Sequence, residues 1–151
     1  MHEELQDALD FHFQNEALLQ LALTHKSYVF ETSNEALDSN ERLEFLGDSI
    51  LACVTADYLY RSFPELSEGD LSNIRSMLVK GETLAELARD LYLGDYLLMS
   101  KRERNNVKSQ RVLAATFEAV LHRPDGRIVG SVTARSAPLK VSVPCTLTLK
   151  G

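Results

Sequence analysis

Apolar residues recur at three- and four-residue spacing through the first 121 positions of the chain, a period that belongs to helices rather than strands. The segments near residues 3–10, 15–24, 39–61, 68–79, 82–91 and 108–121 each carry it, and glycine and proline fall mainly between them. The pattern predicts an all-α fold for this part. Pro64 cannot sit inside a continuing helix, and Ser67 followed three residues later by Asp70 has the form of a capping box, so the third and fourth helices are separated there. Gly94 offers a C-cap for the helix that ends near Leu91. No internal repeat or low-complexity stretch is present.

The helical pattern stops at His122. Arg123-Pro124-Asp125-Gly126 contains a strong turn signal, and the residues after it are rich in Ser, Thr, Val and Pro. Arg127–Val132 and Leu139–Leu149 allow short β-hairpin strands, with an irregular tail as the alternative. Of the 22 acidic and 16 basic residues, 21 and 11 lie within residues 1–122, so that part carries −10 and the tail +4. Two units are expected: a helical domain, 1–122, and a compositionally foreign tail, 123–151.

A chain of 151 residues with 44% hydrophobic residues can bury a single core without staples. Cys53 and Cys145 have neither zinc nor disulfide-framework spacing, which favours a reducing compartment. No basic and apolar leader opens the chain and no stretch is long enough to span a bilayer, so a cytoplasmic, membrane-free protein is expected. The net charge of −6 argues against nucleic acid as a partner only if it is spread evenly. It is not. Lys101, Arg102, Arg104, Lys108 and Arg111 fall within eleven residues, as a solvated loop or a phosphate-contacting one.

The acidic residues are also placed with a pattern. In Glu41-Arg42-Leu43-Glu44-Phe45-Leu46-Gly47-Asp48, the i, i+3, i+7 spacing puts Glu41, Glu44 and Asp48 on one helix face, with Leu43, Leu46, Ile50 and Val54 opposite. Carboxylates on a polar face are commonly just a solvated surface. Held on a rigid helix, they also make hard oxygen ligands for Mg²⁺.

The whole run Asn40 to Ser49 resembles the signature segment of the ribonuclease III family, endonucleases that cut double-stranded RNA. Leu21 to Tyr28, Glu68 to Ser72, Gly81 to Ala88 and Thr116 to Val120 resemble further family blocks, in the family's order and spacing, over about residues 3–121. The resemblance implies the family's helical endonuclease fold and hydrolysis of a phosphodiester to a 5′-phosphate and a 3′-hydroxyl. The cofactor implied is Mg²⁺, with Mn²⁺ as a substitute. It places Glu44, Asp48 and Glu118 at metal-ligand positions, with Asp48 and Glu118 as catalytic residues. Glu41 and Glu68 match acidic positions near the cleft that place RNA or support the site, and Lys101, Arg102, Arg104 and Lys108 of the basic run are, from their charge, the candidates for contacting RNA. Phe45 would enter a pocket on a second subunit of a homodimer, and its alternative is packing within the chain. His25, with Thr24 and Ser27, reads as a structural hydrogen-bonder.

Two departures follow. The family's remaining acid would fall three residues before Glu118, where Ala115 stands; the substitutes nearby are Thr116 or a water, neither of which brings negative charge. After His122 the family's further helices and its double-stranded-RNA-binding domain are replaced by the foreign tail, as a shifted reading frame or a chimeric gene end would produce. The resemblance therefore implies a weakened double-stranded-RNA endoribonuclease, with a non-cleaving dimeric duplex-RNA scaffold as the alternative.

Overall fold

The computed structural model describes residues 2–9, 11–33, 37–106, 109–121 and the pairs 133–134 and 137–138. Every segment with a helical period forms a helix. In chain order the helices are α1 (Glu3–Ala8), α2 (Glu16–Ala22), α3 (Lys26–Thr32), α4 (Glu41–Ser62), α5 (Glu68–Leu78), α6 (Gly81–Asp90), α7 (Leu93–Tyr96) and α8 (Gln110–Leu121), with a 3₁₀ turn at Glu103–Asn106. Among the described residues of 3–121 the fold is all-α, as expected. The sequence pattern does not predict α3, which buries no residue and so carries no apolar stripe, nor α7 and the 3₁₀ turn, which are four residues each.

Helix α8 fills the middle of the molecule. It packs against α4 on one side and α6 on the other, and also touches α2 and α7. Leu113, Ala114, Thr116, Phe117, Ala119 and Val120 are all buried, so most of its circumference faces protein. Helix α6 meets it through Leu84, Ala85 and Ala88, where the two alanines allow close approach of the helices. Leu5, Leu9, Leu19 and Leu23, from the N-terminal turns, close the same core.

The predicted break between α4 and α5 is present and capped. Ser67, in an extended backbone, accepts a hydrogen bond from the Asp70 amide at 3.2 Å and donates its hydroxyl to the Asp70 carboxylate at 2.6 Å. Gly94 does not cap the preceding helix. It lies inside α7, and the left-handed residue at this junction is Tyr92, with φ 53°. Its exposed ring finds room outside the core, so the turn was taken by a residue that the glycine rule does not single out.

On α4 the apolar face differs in one residue from expectation. Leu43 and Val54 are buried and Ile50 is half-buried, but Leu46 remains 39% exposed. The buried stripe runs through Leu43, Gly47 and Val54, and Leu46 lies about 100° from Gly47 around the helix. In the tail, β1 (Thr133–Ala134) and β2 (Ala137–Pro138) pair antiparallel, Thr133 opposite Pro138 and Ala134 opposite Ala137. The strands expected at Arg127–Val132 and Leu139–Leu149 lie outside the described residues.

Candidate active site

Gly47 is where the site is built. A Cβ added there would meet the Glu118 carbonyl oxygen and lie 2.6 Å from its carbonyl carbon, so a hydrogen at this position lets α4 and α8 cross in direct backbone contact. Glu44 and Asp48 flank Gly47 on α4, and the crossing delivers Glu118 to the same place. Glu44 and Glu118 are half-buried and Asp48 is exposed.

Their electrostatics record the convergence. Burial pushes the Glu118 carboxyl up to about 7, and the charges of Asp48 and Glu44 add to the shift. Glu44 is raised too, first by burial and then by Glu41, while Arg111 and Lys26 pull it the other way. A half-buried carboxyl raised by neighbouring negative charge gains from a cation placed beside it. The donor set, three hard carboxylates from two rigid helices, fits Mg²⁺. Their present rotamers do not close on a single point: among the described residues no group of three His, Cys, Asp or Glu side chains is gathered to hold a metal ion.

Glu41 has a different environment. It is exposed and held below its ordinary value by Lys26, whose Nζ donates to Oε1 at 2.9 Å, while the Ser39 hydroxyl donates to Oε2 at 3.3 Å. Glu68 enters none of the carboxylate interactions above; it sits exposed in the first turn of α5 and accepts from the Ser72 hydroxyl at 2.9 Å. Lys101, Arg102 and Arg104 are exposed in the turn and 3₁₀ segment that precede α8. Lys108 lies outside the described residues. Arg111, the last of the basic run, lines a cavity with Glu44 and Ala115.

Ala115 is on the wall of that cavity, and Thr116 does not compensate for it. The Thr116 side chain is buried, and its hydroxyl donates to the Val112 carbonyl at 2.8 Å, inside its own helix. Phe45 does not pack within the chain; 78% of its surface is exposed.

His25 is a structural residue. As N-cap of α3 it accepts from the Ser27 amide through Nδ1 at 3.2 Å, and the Ser27 hydroxyl lies 2.9 Å from the same nitrogen. Burial, then the Lys26 charge, lowers its pKa and keeps the ring neutral. The same short stretch anchors the start of α4. Asn40, buried, donates its amide to the Thr24 carbonyl at 2.9 Å and its side-chain Nδ2 to the Ala22 carbonyl at 3.1 Å. Leu98 pairs with the same strand-like stretch, donating to the Leu23 carbonyl at 2.9 Å and accepting from the His25 amide at 3.0 Å. Asn40 and Gly47 are the residues whose roles sequence reasoning missed. Gly47 alone left a signal, a glycine inside a long helix.

The family model described as Ribonuclease-III-like matches residues 15–122, which include α4 and α8 with Glu44, Asp48 and Glu118. The chain belongs to the ribonuclease-III-like family. The protein named Ribonuclease 3 from Nitrosococcus oceani is 49% identical over 121 residues, covering 79% of this chain and 49% of the relative. That of Carboxydothermus hydrogenoformans is 46% identical over 119 residues, covering 78% of this chain and 51% of the relative. The chain spans about half the length of the curated relatives it matches. A solved structure of the nuclease domain of ribonuclease III from Campylobacter jejuni superimposes with a TM-score of 0.72 at 40% identity, covering 79% of this chain and 80% of that one. A second structure of the same domain, at 2.2 Å, gives the same score and identity, covering 80% of this chain and 79% of that one. The Ribonuclease-III-like match ends at residue 122, where the helical pattern of the chain also ends.

Proposed function

We propose that residues 1–122 form a ribonuclease III-type endoribonuclease domain that hydrolyses double-stranded RNA with Mg²⁺, weakened by Ala115, and acts in the cytoplasm as a homodimer. The observation that supports this reading is the Gly47 crossing, which brings Glu118 of α8 within electrostatic reach of Glu44 and Asp48 of α4. These three side chains would hold the metal, with Mn²⁺ as a substitute. When bound, Mg²⁺ activates water as the nucleophile and stabilises the charge that develops on the phosphate. The chain's own residues set the conditions. Glu118, with its carboxyl raised to about 7 by burial and by the charges of Asp48 and Glu44, is where an added cation relieves the most repulsion. Lys26 keeps Glu41 ionised and occupied at the rim. Lys101, Arg102, Arg104 and Lys108 supply positive charge for the RNA backbone, and Glu68 supports the outer cleft. A duplex is read through its shape, phosphates and 2′-hydroxyls, so binding is expected without strong sequence preference and with steep salt dependence.

Ala115 favours a second reading, a non-cleaving relative that binds duplex RNA as a dimer, because one ligand fewer leaves a weaker site for a cation that already parts reluctantly with its waters. One experiment separates the two. A long RNA duplex is incubated with the protein with and without Mg²⁺, beside the variants Ala115→Asp and Asp48→Asn. The enzyme reading expects slow Mg²⁺-dependent cutting that Ala115→Asp raises ten-fold or more and Asp48→Asn abolishes. Duplex binding with no cutting by either the starting protein or Ala115→Asp establishes the scaffold reading, and absence of binding overturns both.

A further inference from the structure

The carboxylate cleft is continuous, through Glu44 and Ala115, with a cavity of about 460 Å³ whose wall carries both signs of charge and one large exposed ring. Its size is within the range of small-molecule sites, about 300–1,000 Å³. Phe30, on α3, lines it while 79% of its surface remains exposed. Arg111, on α8, also lines it and is held by no ion pair or hydrogen bond among the described residues; its charge is felt by Glu44. Lys26, by contrast, is committed to Glu41 at 2.9 Å. Ala115 stands one helical turn beyond Arg111 on the same wall, so no carboxylate at that position competes for the guanidinium.

A flat apolar face, an unpaired guanidinium and carboxylate oxygens together suit a ligand with an aromatic ring, an anionic group and N–H donors. Each carboxylate has about four lone-pair sites, so Glu41 accepts a further donor while holding Lys26. Paired bases in a duplex keep their faces stacked inside and cannot reach Phe30. A nucleotide outside a duplex offers all three groups at once. We propose that this cavity binds a single unpaired nucleotide, with its base stacked on Phe30, its phosphate on Arg111 and its base amino group toward the wall carboxylates. The choice of ligand class rests on the RNA-directed reading above.

The test uses adenosine 5′-monophosphate as the probe, titrated into the full chain without duplex or divalent cation and followed by amide chemical shifts. Saturable shifts are expected in α3 and the first turns of α8. Phe30→Ala should weaken binding about five-fold or more, from the magnitude of base–aromatic stacking, and Phe30→Tyr should retain it. Arg111→Ala should weaken it by a similar factor. Ribose 5-phosphate, which has the phosphate and no base, should bind at least five-fold more weakly than the nucleotide. Phe30 is exposed, so its replacement leaves the fold intact, which circular dichroism checks. The proposal is overturned by absence of saturable shifts, by equal affinity for the two probes, or by indifference to Phe30→Ala. Since neither duplex nor metal is present, such a failure leaves the duplex reading standing, and failure of duplex binding or cutting leaves this titration unaffected.

Discussion

Replacing Gly47 with alanine sets two effects against each other. Helix propensity favours alanine by about 1 kcal/mol in a helix interior. The added methyl, however, meets backbone atoms of Glu118 that no rotamer change can move, and overpacking of this kind costs about 1–3 kcal/mol or more. The steric term wins, and Gly47→Ala should lower the urea midpoint although it improves the helix. A raised midpoint would show that α8 shifts freely on α4. Glu118 gives a prediction in pH. Its pKa is raised from an ordinary 4.5 to about 7, so between those values the folded state binds more protons than the unfolded chain, and stability falls as pH rises through that window. Without divalent cations, Glu118→Gln should therefore raise Tm at pH 8 and leave it unchanged near pH 4. Equal melting differences at both pH values would contradict the sign. The acids at this site were legible as residues, because carboxylates at fixed spacing leave a pattern. Their burial was not, because it depends on which helix lies across them.

The entry of α4 is fixed by hydrogen bonds rather than by an apolar stripe, since Asn40 spends its amide and its side chain on two carbonyls at the end of α2. Asn40→Ala leaves the buried Ala22 carbonyl without this donor, which costs about 1–3 kcal/mol. Asn40→Asp should cost more at neutral pH, because it faces a carboxylate toward a carbonyl oxygen. Chemical denaturation of the three proteins checks the order. Long helices with a clear period, such as α6 and α8, were predictable from local pattern. The tie between residues 22–25 and Leu98 was not, because a single parallel bridge between segments over seventy positions apart has no local signature. The same limit applies to Gly94 and Tyr92: a left-handed turn is open to glycine at little cost, but a tyrosine with its ring in solvent accepts it when neighbouring helices demand the geometry.

At the scale of the molecule, α4 and α5 keep much of their apolar surface outside the protomer. Phe45, Leu46, Tyr60, Phe63 and Met77 are all exposed, and α5 has no buried residue. In the proposed dimer a second copy would cover Phe45. Light scattering should find a dimer at tens of micromolar for the unaltered chain and a monomer for Phe45→Asp with an unchanged circular dichroism spectrum. A monomer in both cases would remove the dimer from the proposal. The central place of α8 has another consequence, in time rather than in space. During synthesis α4 and α6 leave the ribosome before the helix that lies between them, so the nascent chain carries an open apolar slot while the segment up to Leu121 is made. At about 5–20 residues per second the stretch from the end of α6 to the end of α8 takes a few seconds. The core can close only when nearly all of the helical part has emerged, and a pause in translation along that stretch would prolong its exposure to chaperones and proteases.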